Sequence, residues 1–364
     1  MRKIWLVLGV LLIILGVLWW ILYKKETPVL NPLVKKVKNQ TDKVEIKTVG
    51  FLPTWMIGKT RFYGKELDEL IFLGIEVDTE GNLIWDYQSK KINDEGFLKQ
   101  KENITKTGGN NILGIKLFDD KKLEKLLNNE KAVDNLVEQI KGTIEKNNFD
   151  GVNVDFEYQK DPVAILNQNF FDFLEKLKLA DVGKISVDVF VNTINKGNQE
   201  DLKVLLGKID ELIIMAYDFH RPGVDYTGAV APIDAPIGER SILELVKNIT
   251  NDELDKNKII LAYPLYGYEW KTETEELGSK IKRGWYQMSS WQRTKKLIQD
   301  ENLEVKWDDL SMTPWLVFEE NNTIHQIYYE NEKSLEIKIK LAEDNQFKGI
   351  GFWALGYEGE EILF

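Results

Sequence analysis

Three polar side chains at alternate positions, Asn153, Asp155 and Glu157, interrupt an otherwise apolar run in FDGVNVDFEY (149–158). Val152, Val154 and Phe156 fill the positions between and around them. As a strand, the segment has one apolar face and one face carrying two carboxyls and an amide. Burying such groups unpaired is costly, and a carboxyl beside another, or partly desolvated, keeps its proton to higher pH. Glu157, last in the line, could then stay protonated near neutrality and act as a general acid, for instance toward a glycosidic oxygen. The competing reading is a set of interior polar groups hydrogen-bonded to one another, with no chemistry.

The elements that would position this line follow a rhythm. Eight short β-branched runs occur at 44–51, 69–77, 110–118, 149–156, 185–191, 210–217, 258–265 and 348–355. Between most of them apolar residues recur at three and four, as in 121–147, 165–180 and 240–256, which predicts helices. No helix is predicted between the first two runs. Strand–helix alternation of this kind predicts an α/β fold, a (β/α)8 TIM barrel, with active residues at the C-terminal ends of the strands. The gap between runs seven and eight is too long for a loop. Residues 268–333 contain the strand-like pieces TPWLVFEE and TIHQIYYE and are expected to form a small α+β insertion subdomain beside the barrel mouth. Only a short helix could follow the eighth run.

Composition narrows the chemistry. At 364 residues with 43% hydrophobic content, the chain can bury a large core. A net charge of −11 argues against a nucleic-acid partner. There is no cysteine, and the histidines are His220 and His325, so thiolate chemistry and a multi-histidine zinc site are excluded. Acid chemistry remains, with no metal and no cofactor expected.

The N-terminus, MRKIWLVLGVLLIILGVLWWILYKKETP, holds about 20 consecutive apolar residues, Ile4 to Tyr23, enough to span a bilayer as a helix. Lys24 and Lys25 follow directly without a small-x-small cleavage site, which favours an uncleaved transmembrane anchor over 1–23 rather than a removed signal peptide. Lysines flank both sides, so the positive-inside rule does not favour export. Export to the cell surface is nonetheless expected from the short basic start before the apolar run. Residues 24–44, with Pro28 and Pro32, read as a tether rather than an arm packed on the domain.

DGVNVDFE (150–157) resembles the signature of glycoside hydrolase family 18, the chitinase-like enzymes: Asp-Gly, an apolar residue, Asp or Asn, an apolar residue, Asp or Asn, any residue, then Glu. MAYDFH (215–220), PLYGYEW (264–270) and GIGFWALGYE (349–358) resemble the family's motifs at strands six, seven and eight. The insertion, with KWDDLSMTPW and HQIYYENEKSLEIKIKLA, is similar to the small subdomain many members carry between strands seven and eight. The resemblance covers about residues 45–364. It implies Glu157 as general acid and then base, with the substrate's own 2-acetamido oxygen as nucleophile. It implies that Asp155 orients that acetamido group and that Tyr217 hydrogen-bonds its carbonyl. Asp218 would contact the sugar or the acetamido region, Met215 would line the pocket, and Trp353 would form the floor under the sugar. Asp150 would tie the start of the strand. Asn153, Tyr266, Trp270 and Trp55 complete the expected substrate-binding set. Trp55, Trp270, Trp285, Trp291 and Trp315 could each stack on sugars or simply pack in a core. His220 is expected to be a hydrogen-bonded neighbour of the site.

The chain departs from the family pattern twice. Asn153 stands where members often have Asp, and Asn cannot share a proton with Asp155. The third strand ends GIKLFDD (114–120) instead of Ser-x-Gly-Gly. The expected function is a membrane-anchored glycosidase cutting β-1,4 bonds next to N-acetylglucosamine, in chitin-like chains or peptidoglycan, with retention. The alternatives are an enzyme acting on N-glycan cores, a lectin-like binding protein of the same fold, and a two-carboxylate glycosidase with Asp155 as nucleophile.

Overall fold

Seven parallel strands appear in chain order: β1 (Lys47–Pro53), β2 (Glu69–Val77), β3 (Asn110–Leu117), β4 (Gly151–Phe156), β5 (Lys184–Phe190), β6 (Glu211–Met215) and β7 (Ile259–Pro264). The chain then leaves the barrel through an insertion. This comprises β8 (Tyr266–Thr272), β9 (Ile281–Ser290), β10 (Lys306–Asp308), β11 (Thr313–Glu320) and β12 (Thr323–Tyr328). It returns as β13 (Gly349–Trp353), which pairs with both β7 and β1, and β1 pairs with β2 to close the ring. These observations come from a computed structural model that describes residues 46–359. The expected anchor and tether lie outside the described residues, among which no helix is long and apolar enough to cross a membrane.

The helices lie between the strands: α1 (Glu95–Lys106), α2 (Asp120–Leu127), α3 (Glu130–Asn147), α4 (Gln168–Leu179), α5 (Val191–Lys196), α6 (Gln199–Lys208) and α7 (Ile242–Asn251). The insertion adds α8 (Trp291–Asp300), and α9 (Glu332–Asp344) leads into β13. The single helical run expected over 121–147 is two helices. Asn129 sits in extended backbone and accepts a hydrogen bond from the Ala132 amide, so it caps a new helix where periodicity alone showed none. No α-helix joins β1 to β2; a single 3-10 turn, Thr54–Met56, stands there.

The alternation read from the sequence settles how β4 sits. Val152, Val154 and Phe156 belong to the large core between strands and helices, and Phe156 stacks on Phe173 of α4 at 5.8 Å between ring centroids. Full burial of a Val or Phe side chain contributes roughly 1.5–3 kcal/mol, so slipping the strand by one residue would forfeit three such burials at once. Asn153 and Asp155 are therefore forced inward. The barrel interior is otherwise filled by Val49, Phe51, Ile71, Ile112, Ile213, Ile260 and Ala262, with Tyr217 and Trp353 packed on top.

The insertion is a five-stranded antiparallel sheet in the order β9-β8-β12-β11-β10, beginning two residues before the predicted boundary. Gly267 explains the Tyr-Gly pair in PLYGYEW. A Cβ there would lie 1.8 Å from the Tyr328 carbonyl oxygen, so only glycine lets β8 approach β12 and turn out of the barrel.

Candidate active site

Strand ends β4, β5, β6 and β13 converge at the C-terminal mouth. Glu157 is the first residue past β4, and its amide still donates to the Leu117 carbonyl of β3 at 3.0 Å. Its side chain is half-buried. Burial raises its carboxyl from an ordinary 4.5 to about 7; hydrogen bonds with Asp155 and Gln159 and the charge of Lys116 work the other way, and Asp218 adds to the rise. Asp155 is 4% exposed. Burial first, then the charges of Glu157 and Asp188, push its carboxyl well above the ordinary range. The two carboxyls hydrogen-bond to each other, so they carry at least one proton between them over the neutral range.

Below them Asn153 is fully buried. Its Nδ2 donates to Ser186 Oγ at 3.1 Å and to Asp188 Oδ1 at 2.8 Å, both on β5. Asp188 is 4% exposed; burial raises its carboxyl well above the usual value, against the Asn153 hydrogen bond. Tyr217, just past β6, keeps its hydroxyl proton through burial and the surrounding acids, Asp155 foremost. Its hydroxyl is thus a donor at any neutral pH. Asp218 sits in left-handed backbone at φ 58°, which Asp tolerates better than most residues. There it accepts from Tyr266 Oη at 2.5 Å and Tyr268 Oη at 3.2 Å.

An aromatic wall completes the mouth. Trp353, half-buried at the end of β13, meets Phe51 edge-on at 5.9 Å and Trp55 at 6.1 Å. Trp55 is 37% exposed and its indole donates to Tyr357 Oη at 3.3 Å. Tyr266 packs edge-on to Tyr217, Tyr268 and Tyr357. Apolar ring faces beside buried acids suit a sugar, whose C–H faces stack while its hydroxyls hydrogen-bond.

Of the expected site residues, Glu157, Asp155, Tyr217, Asp218, Tyr266, Trp353 and Trp55 meet at the mouth. Asn153 and Met215 are buried beneath and beside it. Trp270 is not brought there. At 1% exposure it packs with Ala229, Ile281, Trp315 and Tyr328 in the core of the insertion, because its position on β8 points it into that sheet's packed face. Trp315 and Trp291 stack on Tyr328 and Tyr329. His220 Nδ1 donates to the Ala229 carbonyl oxygen at 3.0 Å. Asp150 ties strand starts, accepting from the Asn111 amide at 2.7 Å.

Sequence reasoning passed over Asp188, although ISVDVFV carries the same signal as β4: Ser186 and Asp188 alternate with Ile185, Val187 and Val189. It also left the GIKLFDD corner without a role. Lys116 lies in register with Asp155. Asp120 accepts from the amides of Gln159 (2.8 Å) and Lys160 (3.3 Å), fixing the loop from which Gln159 Nε2 donates to Glu157 Oε2.

Residues 47–358 match the model of Glycosyl hydrolases family 18. The chain is 23% identical over 334 residues to the uncharacterized glycosylase YvbX of Bacillus subtilis, covering 88% of this chain and 91% of that one. Among solved structures, the spore cortex-lytic enzyme SleL of Bacillus megaterium superposes with a TM-score of 0.69 at 20% identity, over 87% of this chain and 72% of that one. A family 18 chitinase variant from Cycas revoluta in complex with (GlcNAc)4 superposes with a TM-score of 0.74 at 16% identity, over 86% and 96%. At these identities the structural likeness speaks for the barrel fold.

Proposed function

Because the chain belongs to glycosyl hydrolase family 18 and is a glycosidase of that chitinase-like group, we propose that it cleaves β-1,4 bonds next to N-acetylglucosamine with retention, by substrate-assisted catalysis. The observation that carries this reading is one half-buried acid, Glu157, which keeps its proton to about pH 7 beside the more deeply buried Asp155. A direct two-carboxylate mechanism needs the second acid ionised and free to attack. Asp155 is instead enclosed, with its carboxyl hydrogen-bonded to Glu157, which suits an orienting role.

In the proposed cycle Glu157 donates its proton to the glycosidic oxygen as the C1–O bond breaks. The carbonyl oxygen of the substrate's 2-acetamido group bonds to C1 from the opposite face, giving a cyclic cation. Asp155 accepts a hydrogen bond from the acetamido N–H, and the Tyr217 hydroxyl donates to the acetamido oxygen. Water then attacks C1 as the C1–O bond to the acetamido oxygen breaks, and gives its proton to Glu157, which restores both the acetamido group and the acid and leaves C1 in its starting configuration. Trp353 would support the distorted sugar, with Trp55 beside it.

The wall polymer peptidoglycan is the substrate we favour over chitin. Two considerations support it: the apolar run Ile4–Tyr23, read as an anchor holding the domain at the cell surface, and the cortex-lytic activity named for the SleL neighbour. The test is hydrolysis of chitooligosaccharides and peptidoglycan fragments by the parent and by Glu157→Gln. The parent should release products with retained anomeric configuration, and the variant should lose about 10²–10⁴ in kcat. Sugar binding without cleavage by the parent would make the protein a lectin. Full activity in Glu157→Gln would remove Glu157 as the acid.

A further inference from the structure

We propose that Asp188 is a positioning residue of this site: strand β5 supplies, through the amide of Asn153, the second interior carboxylate that Asn153 itself cannot be. The inference rests on the functional reading above only for its consequence on rate. Its geometric basis is separate. Asn153 is fully buried, and its amide nitrogen is directed to β5, to Asp188 Oδ1 at 2.8 Å and Ser186 Oγ at 3.1 Å. That leaves Asn153 Oδ1 without a hydrogen-bond partner. Asp155, next on the same inward face, also has a buried oxygen, Oδ1, without one. Two orphaned acceptors on one face are costly, and only a proton can join acceptor to acceptor. Asn153 cannot carry that proton on its oxygen; Asp155 can.

The logic is reciprocal. While Asp188 is ionised it draws the Asn153 N–H toward itself, so the amide oxygen remains available to accept from a protonated Asp155. Were the amide reversed, its N–H would favour an ionised Asp155, and Asp188 would have to hold the proton. Asn153 thus couples the two acids so that one negative charge serves both, as a directly touching carboxyl pair would. Every neighbour of Asp155 enters the balance. Asn153 lies on its own strand, Glu157 just past that strand's end, Asp188 on β5, Tyr217 past β6 and Lys116 on β3. Asp188 itself also senses Glu157 and, from below, Glu69.

The experiment is a carboxyl titration by ¹³C NMR of the full-length chain, with the Asp155 signal assigned by its loss in Asp155→Asn. Asp188→Asn removes the charge but keeps the shape, and should lower the Asp155 titration by about one pH unit or more. The alkaline and acid limbs of kcat/KM should move with it. The swap Asn153→Asp with Asp188→Asn restores the second carboxylate on β4 and should return the titration toward that of the parent. An unchanged Asp155 titration in Asp188→Asn overturns the proposal, since a merely structural Asp188 would alter thermal stability alone. If Asp188→Asn does not fold, the swap decides: a folded swap with the parent's titration supports the proposal, and a swap that fails to fold overturns it. The titration needs no substrate, so a parent that cleaves nothing would count against the proposed function and leave this inference standing.

Discussion

At the N-terminal end of the barrel, Glu69 and Glu211 are fully buried, and Lys47, Lys184 and Lys348 reach in to them. Lys47 Nζ lies 2.7 Å from Glu69 and 2.5 Å from Glu211, and Lys348 Nζ lies 3.0 Å from Glu211. At the C-terminal end, Asp155 and Asp188 are nearly as enclosed, yet their neighbours are further acids, with Lys116 at the edge. Burial acts the same way at both ends, favouring the neutral acid. For Glu211 the attraction of Lys47, Lys184 and Lys348 overcomes it and holds the carboxyl below its usual range; for Glu69, burial and Glu211 win despite the lysines. At the mouth every resolved acid moves upward. One end matches charge and closes the barrel. The other withholds counter-charge, and that leaves protons available for chemistry.

The sharpest way to break this contrast is to unbalance the matched end. Glu211→Gln leaves three lysines around one carboxylate and should cost about 3–5 kcal/mol of stability, measured by denaturant unfolding. The activity of the molecules that remain folded should be unchanged, because Glu211 lies at the opposite end from the mouth. A loss of kcat larger than the loss of folded protein would mean that the two ends are not separable.

A smaller effect, of opposite sign for Glu157 and Glu211, is the response of stability to pH. The Glu157 carboxyl titrates near 7 when folded and near 4.5 when free. Between those values the folded protein holds a proton that the unfolded chain releases, so raising pH through the window drives unfolding. Glu211 is shifted downward, so its contribution is present above its unfolded value and is lost only as pH falls through its lower folded value. Melting temperature followed from pH 4.5 to 7 should therefore decline in the parent, and the decline should flatten in Glu157→Gln. A parent whose stability rises across that window would contradict the unmatched picture of the mouth. Activity should share the limit: kcat/KM should fall above about pH 7, as the acid loses its proton.

The smallest expected change concerns the aromatic rim. Trp55→Ala removes a half-open ring beside Trp353, an interaction of about 0.5–1.5 kcal/mol. KM for an oligosaccharide should rise roughly three- to tenfold with kcat little altered, as steady-state kinetics would register. An equal fall in kcat would place Trp55 under the reacting sugar itself.

Much of this was legible in one dimension because period is local. The β-branched runs foretold all eight barrel strands, and alternation in FDGVNVDFEY put Val152, Val154 and Phe156 against the helices and Asn153, Asp155 and Glu157 on the opposite side. Such faces follow from strand geometry whatever the rest of the chain does. The same rule applied to ISVDVFV would have exposed Asp188. What it could not have shown is that Asp188 reaches Asn153, a partner 35 positions away, because that depends on the parallel register of β4 with β5. Trp270 went the other way. Its motif suggested a sugar platform, but its placement depended on which face of the inserted sheet is packed. The balance of charge at the two ends was equally invisible: Lys47, Glu69, Lys184, Glu211 and Lys348 are scattered through the sequence and meet only because a closed barrel brings strand starts into one ring. Residue types and their period determined which side chains could hold a proton. Only closure of the barrel decided which of them would be left without a lysine, because distance in space, and not along the chain, sets the Coulomb energy.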